Sequence, residues 1–129
     1  MAFKFGRHYS REDINECIGG EMVSYLPRRA SDDGSKGIIV CGCFSLDVNP
    51  DAPEVVLAGD TEDIHQRAID LCNQGGTIPV FVKDDDDIRA YVGEYRVGYS
   101  SENPKIIAQQ AKLSGRSDIA RVLFMERIG

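Results

Sequence analysis

The chain predicts an α+β fold: a curved, mixed or barrel-like sheet with about three flanking helices. Three segments have caps and apolar residues at helical spacing, while six others, one of them short, have strand-like composition. The two kinds do not alternate as a parallel α/β domain requires, because a hairpin falls mid-chain between the second and third helices. No nucleotide-binding glycine fingerprint is present. With 129 residues, 42% hydrophobic and 28% charged, the chain is expected to fold as one domain over residues 1–129.

Each element follows from local chemistry. Ser10 with Asp13 three residues on makes an N-cap pattern, and Gly19-Gly20 is a stop, so residues 11–18 form a short helix. The stretch EMVSYLP has a strand-like centre closed by Pro27, and RRASDDGSKG is a polar loop. IIVCGCF and EVVLAG are strands; SLDVNPDAP between them carries two prolines and turn formers and must be a loop. TEDIHQRAIDLCNQGG opens on a threonine cap and an acidic turn, places Ile64, Ala68, Leu71 and Cys72 on one helical face, and stops at Gly75-Gly76. TIPVFVK is a strand, the four aspartates at 84–87 are a hairpin tip, and IRAYVGEYRVGYS is the long returning strand. Gly93 within it marks a bulge or a close backbone approach. A third helix runs from Pro104 to Gly115, and IARVLFMERI closes the chain as a mostly buried strand.

Charge narrows the function. The net charge of −6 argues against a general phosphate binder. Residues 1–40 balance six basic with six acidic side chains, whereas the remaining 89 hold 9 basic and 15 acidic ones. An anion-facing surface is therefore local, centred on Arg28, Arg29 and Lys36. No apolar run approaches the ~20 residues that span a bilayer, and the N-terminus lacks the apolar region of a secretory signal. A cytoplasmic location without membrane partners is expected, and no cofactor motif stands out.

The stretch GIIVCGCFSLDVNPDAPEVVLAG admits three readings. On a strand, Cys41 and Cys43 share a face and could both ligate a metal, yet the remaining candidates, Cys17, Cys72, His8 and His65, are scattered singly. A nucleophilic thiol needs a base, which only His8 or His65 could supply. No carboxylate lies two residues before Lys83, where Phe81 stands, so a metal-dependent nuclease centre is not legible. The third reading is a strand leading into a recognition loop. SYLPRR sets Tyr25, Leu26 and Pro27 before Arg28 and Arg29, suited to filling a gap in a base stack while holding phosphate. Phe44 could stack, Asp47 and Asn49 could read a base edge, and Tyr95 and Arg96 lie on the long strand. Recognition ranks first, the nucleophile second and the metal last.

Several of these segments together (YSREDINECIGGEMVSYLP, VCGCFSLDVNPDAPEVVLAG, GGTIPVFVK, YVGEYRV and RVLFMERI) resemble a small domain fused to HNH nucleases in modification-dependent restriction systems. That domain is similar to the SRA (SET- and RING-associated) readers of modified cytosine, within the PUA-like superfamily. The resemblance runs from about Tyr9 to Ile128. It implies a PUA-like/SRA-like curved sheet or pseudo-barrel that holds a modified base flipped from double-stranded DNA, in a chain with no catalytic activity of its own. It also implies a nuclease, as a partner or a fused domain. On this resemblance Phe44 stacks on the base, Asp47 meets its edge, and Tyr25, Leu26, Pro27 and Arg28 form the inserted loop. Two alternatives stand beside it: a small thiol-dependent enzyme using Cys41 or Cys43 with a histidine, and a protein-interaction domain in which Arg28 and Arg29 grip an acidic partner.

Overall fold

The computed structural model describes residues 3–30, 37–83 and 89–129. Among them the order is β1 (His8–Tyr9), α1 (Arg11–Ile18), β2 (Arg28–Arg29), β3 (Ile38–Ile39), β4 (Gly42–Ser45), β5 (Val55–Gly59), α2 (Glu62–Gln74), β6 (Ile78–Lys83), β7 (Arg89–Ser101), α3 (Pro104–Ser114) and β8 (Ile119–Arg127). The fold is mixed α+β. One sheet runs β4-β6-β7-β8-β5, with β1 also on β7, and β2 pairs with β3 in a separate ribbon. β4 and β6 are parallel and all other pairs antiparallel. Among the described residues β4 and β5 end the path unpaired with each other, so the sheet is open rather than a closed barrel.

The helices form where their caps direct. Ser10 accepts from the Asp13 amide while the Asp13 carboxylate accepts from the Ser10 amide, a reciprocal cap that starts α1. Thr61 caps α2 by accepting from the Ile64 amide. Asn103 does the same for α3 from the Lys105 amide, with Pro104 in the first turn and left-handed Gly115 at the end.

The long strand β7 organises the sheet. Its first half pairs with β6 and its second half with β8. Strict alternation would put Tyr91 and Tyr95 on one face. The register shifts at Val80/Phe81, however, leaving Val92 as the extra residue, so Tyr91 lies opposite Phe81 and Gly93 opposite Val80. Tyr91 then packs with Ile14, Cys41, Cys43 and Phe81, while Tyr95 packs on the other face with Phe44, Val80 and Leu123. Gly93 serves a second need: a Cβ there would sit 2.6 Å from the Gly129 carbonyl oxygen. A second shift falls between Val97 and Tyr99.

Among the described residues three apolar clusters result. α2 covers one sheet face through Ala68 and Leu71, α3 packs beside Leu57, Ile119 and Val122, and the N-terminal residues with α1 cover Cys41, Cys43 and Phe81.

Two expectations are corrected. EMVSYLP is not a strand but a series of bends, although its carbonyls still take strand-like bonds from the amides of Val40 (to Pro27) and Cys43 (to Tyr25). IIVCGCF is split at Val40–Cys41, because its first part pairs with β2 and its second with β6. The short strand β1 has no sequence signal of its own. The aspartate run at 84–87 and Lys36 lie outside the described residues.

Candidate nucleic-acid interface

Two segments flank Phe44. The first, residues 20–29, is tied by arginines from two helices. Arg67, a buried cation on the apolar face of α2, donates to both Glu21 carboxylate oxygens at 2.5 and 3.0 Å, to Asp63 at 2.9 Å and to the Leu26 carbonyl at 3.0 Å. Arg11 donates to the carbonyls of Glu21 and Ser24. The Arg28 amide donates to the Glu21 carboxylate at 2.8 Å. The Arg67 hydrogen bond is the main reason the Glu21 carboxyl is held down at about 2. Between these anchors Ser24 adopts φ 99°, a left-handed conformation rare outside glycine, and Met22 and Val23 project outward, Val23 with 76% of its surface exposed. An apolar tip thus stands on a braced base.

The second segment, residues 45–53, is a compact turn held mainly by neutral groups. The Asn49 amide donates to Ser45, and its buried side-chain oxygen accepts from the Leu57 amide at 2.7 Å, satisfying a donor on edge strand β5. Arg116 donates to the carbonyls of Val48 and Leu57 at 2.8 and 3.1 Å and is itself clamped by Asp118, whose carboxyl it holds below the ordinary range. The Ala52–Pro53 bond is cis. Leu46, Asp47 and Val48 face solvent.

The segments meet at Tyr25 and Phe44, whose rings lie 6.4 Å apart. The Tyr25 hydroxyl donates to the Ile64 carbonyl at 2.6 Å, and burial pushes its phenol well above the ordinary range. Four of the residues singled out from sequence (Tyr25, Leu26, Phe44 and Tyr95) do converge, but in the apolar cluster beneath α2, where Phe44 is only 1% exposed. Pro27 is buried as well. In this conformation Phe44 offers no open ring face, and the outward apolar pair of the first segment is Met22–Val23 rather than Leu26–Pro27. The signal for that pair was present as Met-Val between Gly-Gly-Glu and Ser, ahead of the more conspicuous aromatic.

The charged candidates separate. Arg28 pairs with Asp70 at 2.5 Å, and Arg96 with Glu126 at 3.2 Å. Arg29 is exposed, with a long 3.4 Å bond to the Ile18 carbonyl. Arg29 and Arg96 line two neighbouring cavities, of about 370 and 280 Å³, that share Gly75 at the end of α2. Asp47 is exposed and Asn49 structural. Of the histidines, His65 lies within 3.3 Å of Glu102 and accepts from Arg121, while His8 lies exposed on β1. The sulfurs of Cys41 and Cys43 lie 3.8 Å from each other.

No family model matches the chain, and no curated protein matches it in sequence. Among solved structures it is similar to the type IV phosphorothioation-dependent restriction endonuclease ScoMcrA, with 12% identity and a TM-score of 0.51 over 97% of this chain and 28% of that one. The likeness is one of fold. The chain spans little more than a quarter of that protein's length. Among the described residues no helix is long and apolar enough to cross a membrane.

Proposed function

We propose that this domain is the specificity part of a modified-DNA restriction system, binding duplex DNA at a modified nucleotide and performing no catalysis itself. The supporting observation is the fold likeness, over 97% of the chain, to an enzyme whose cutting depends on a DNA modification. The expected PUA-like or SRA-like character belongs to this reading.

The distribution of charge supports a division of tasks. Residues 45–63 contain no lysine or arginine, and Asp47, Asp51, Glu54, Asp60, Glu62 and Asp63 are all exposed there. This stretch cannot hold phosphate, so backbone contacts fall to Arg29 and Lys36, with Arg28 and Arg96 already engaged by carboxylates. Met22 and Val23, on their braced loop, are the wedge that enters the base stack. Asp47 reads the exposed edge of the extruded base, and Phe44 is its stacking floor. Because Tyr25 covers Phe44 in the free protein, taking up a base requires the Tyr25–Ile64 hydrogen bond to break. Unstacking the base costs a few kcal/mol, offset by the phosphate contacts and the pocket.

The test is fluorescence anisotropy with short duplexes that are plain or carry a modified cytosine, a modified adenine or a phosphorothioate linkage, at two salt concentrations. The wild type is expected to prefer one modified duplex. Asp47→Ala should erase that preference, while Arg29→Ala should weaken all binding and reduce the salt slope by about 1. Absence of binding to every duplex at low salt ends this reading.

A further inference from the structure

The thiol pair at the start of β4, Cys41 just before it and Cys43 within it, takes no part in the reading above. Cys41 and Cys43 point to the same face of the strand, toward Ile14, Phe81 and Tyr91, with Phe3 and Tyr9 packed over the cluster. Their sulfurs are 3.8 Å apart. Two residues along a strand advance by about 6.6 Å, at the upper end of the roughly 4.4–6.8 Å Cα separation that disulfides span. The intervening residue is Gly42, which has no side chain to resist a local twist. From these positions we propose that Cys41 and Cys43 are a redox-active dithiol, closed to an intramolecular disulfide by a two-electron oxidant of the peroxide class.

The roles of the two sulfurs differ. Cys41 is sealed, whereas Cys43 keeps 7% of its surface open. The hydrogen bond from Cys41 favours the Cys43 thiolate, and the charges of Arg11 and Arg89 act in the same direction against burial. The same hydrogen bond, followed by burial, pushes the Cys41 thiol up. Cys43 is therefore the attacking thiolate. Its sulfur takes one oxygen of hydrogen peroxide, the O–O bond breaks, and the departing hydroxide picks up a proton to leave as water. The Cys41 sulfur then attacks the Cys43 sulfenic acid, losing its proton as the S–O bond breaks, and a second water departs. Both sulfurs are oxidised by one electron each, and the peroxide is reduced to two waters.

Closure has a mechanical consequence on the other sheet face. A Cβ at Gly42 would lie 2.7 Å from the tip of the Phe44 ring, so that ring rests on the Gly42 backbone, and a twist at Gly42 displaces it.

Cys17 and Cys72 provide an internal reference, since the chain holds four cysteines, all free thiols in the structure. The full chain is treated with hydrogen peroxide, unfolded, alkylated and analysed by intact and peptide mass. The expected result is a monomer that has lost two hydrogens, alkylates twice instead of four times, and carries the link within the peptide spanning Cys41 and Cys43. Cys41→Ser should stop at a Cys43 sulfenic acid trapped by a dimedone probe, and Cys43→Ser should give no trapped product at Cys41. Four surviving thiols after a peroxide dose that oxidises free cysteine would overturn the proposal, as would a link that uses Cys17 or Cys72. The wild-type measurement decides even if a serine variant folds poorly.

Discussion

The two segments that frame Phe44 are fixed by different forces. Residues 20–29 are fixed largely by charge: one buried guanidinium, Arg67, holds a carboxylate and a backbone carbonyl, and Arg11 holds two more carbonyls. Residues 45–53 are fixed largely by neutral hydrogen bonds, with Asn49 substituting for a strand at the edge of β5 and Arg116 adding bonds to two carbonyls. In both, several residues that look like recognition groups in the sequence form the scaffold: Tyr25, Leu26 and Pro27 in one, Asn49 in the other. What each segment presents to solvent is small: Met22 and Val23 in one, Leu46, Asp47 and Val48 in the other. The difference in anchoring means the segments can be loosened independently, one more readily by acid and the other chiefly by substitution.

The largest effect is expected where they share support. Phe44 touches the Tyr25 side through its ring and leads directly into the 45–53 turn. Phe44→Ala should destabilise the fold by about 3–5 kcal/mol, the usual cost of emptying a buried aromatic site. Urea unfolding measures it, and amide exchange should show both segments losing protection together. A cost below about 1 kcal/mol would mean the ring is not their common support. For the same reason this substitution is a poor probe of base stacking, whereas Asp47→Ala tests recognition without emptying the core.

Next is Arg67→Ala, expected to cost about 3 kcal/mol, the low end for removing one partner of a buried pair because Glu21 is partly solvated. It leaves the Leu26 carbonyl without this donor. Increased exchange should be confined to residues 20–29. Spread to 45–53 at equal amplitude would break the comparison.

Asn49→Ala is expected to cost about 2 kcal/mol, since the Leu57 amide would remain buried and unsatisfied. Here the loss of protection should fall on residues 45–53 and on β5, leaving 20–29 unchanged. Asn49→Asp keeps the acceptor and should retain most of the stability.

The sequence showed the scaffold better than the site for a physical reason. Caps and helical spacing are local, and Ser10, Thr61, Pro104 and Gly115 placed all three helices. Gly93 announced its bulge because only glycine tolerates both its φ of 127° and the nearby Gly129 carbonyl. The site depends on long-range facing. Whether Phe44 points inward was set by the parallel pairing of β4 with β6, on which no local pattern reports. EMVSYLP has strand-like composition, but its carbonyls are claimed by Arg11 and Arg67 from helices before and after it, and its backbone bends to meet them. A buried arginine on the apolar stripe of α2 was the sequence clue to that network, and it reads as an ordinary surface residue until its partners are known.

The smallest expected effect concerns acid. Glu21 has a folded value of about 2 against an ordinary 4.5. Its depressed value means the Glu21 contribution is fully present above about 4.5 and is lost as pH falls through about 2. With its side chain 41% exposed, water screens much of that contribution, so the change in unfolding midpoint should be modest. Asp118 is also held below its ordinary value, so the other segment has some acid response of its own. Its effect should be weaker locally, because Arg116 keeps its bonds to the Val48 and Leu57 carbonyls when Asp118 is protonated. As pH falls below 4.5, exchange should therefore rise more in residues 20–29 than in 45–53. Glu21→Gln should flatten the pH dependence of the first segment alone, and Asp118→Asn should leave it intact. Equal response of both segments in the wild type would show that charge anchors them alike.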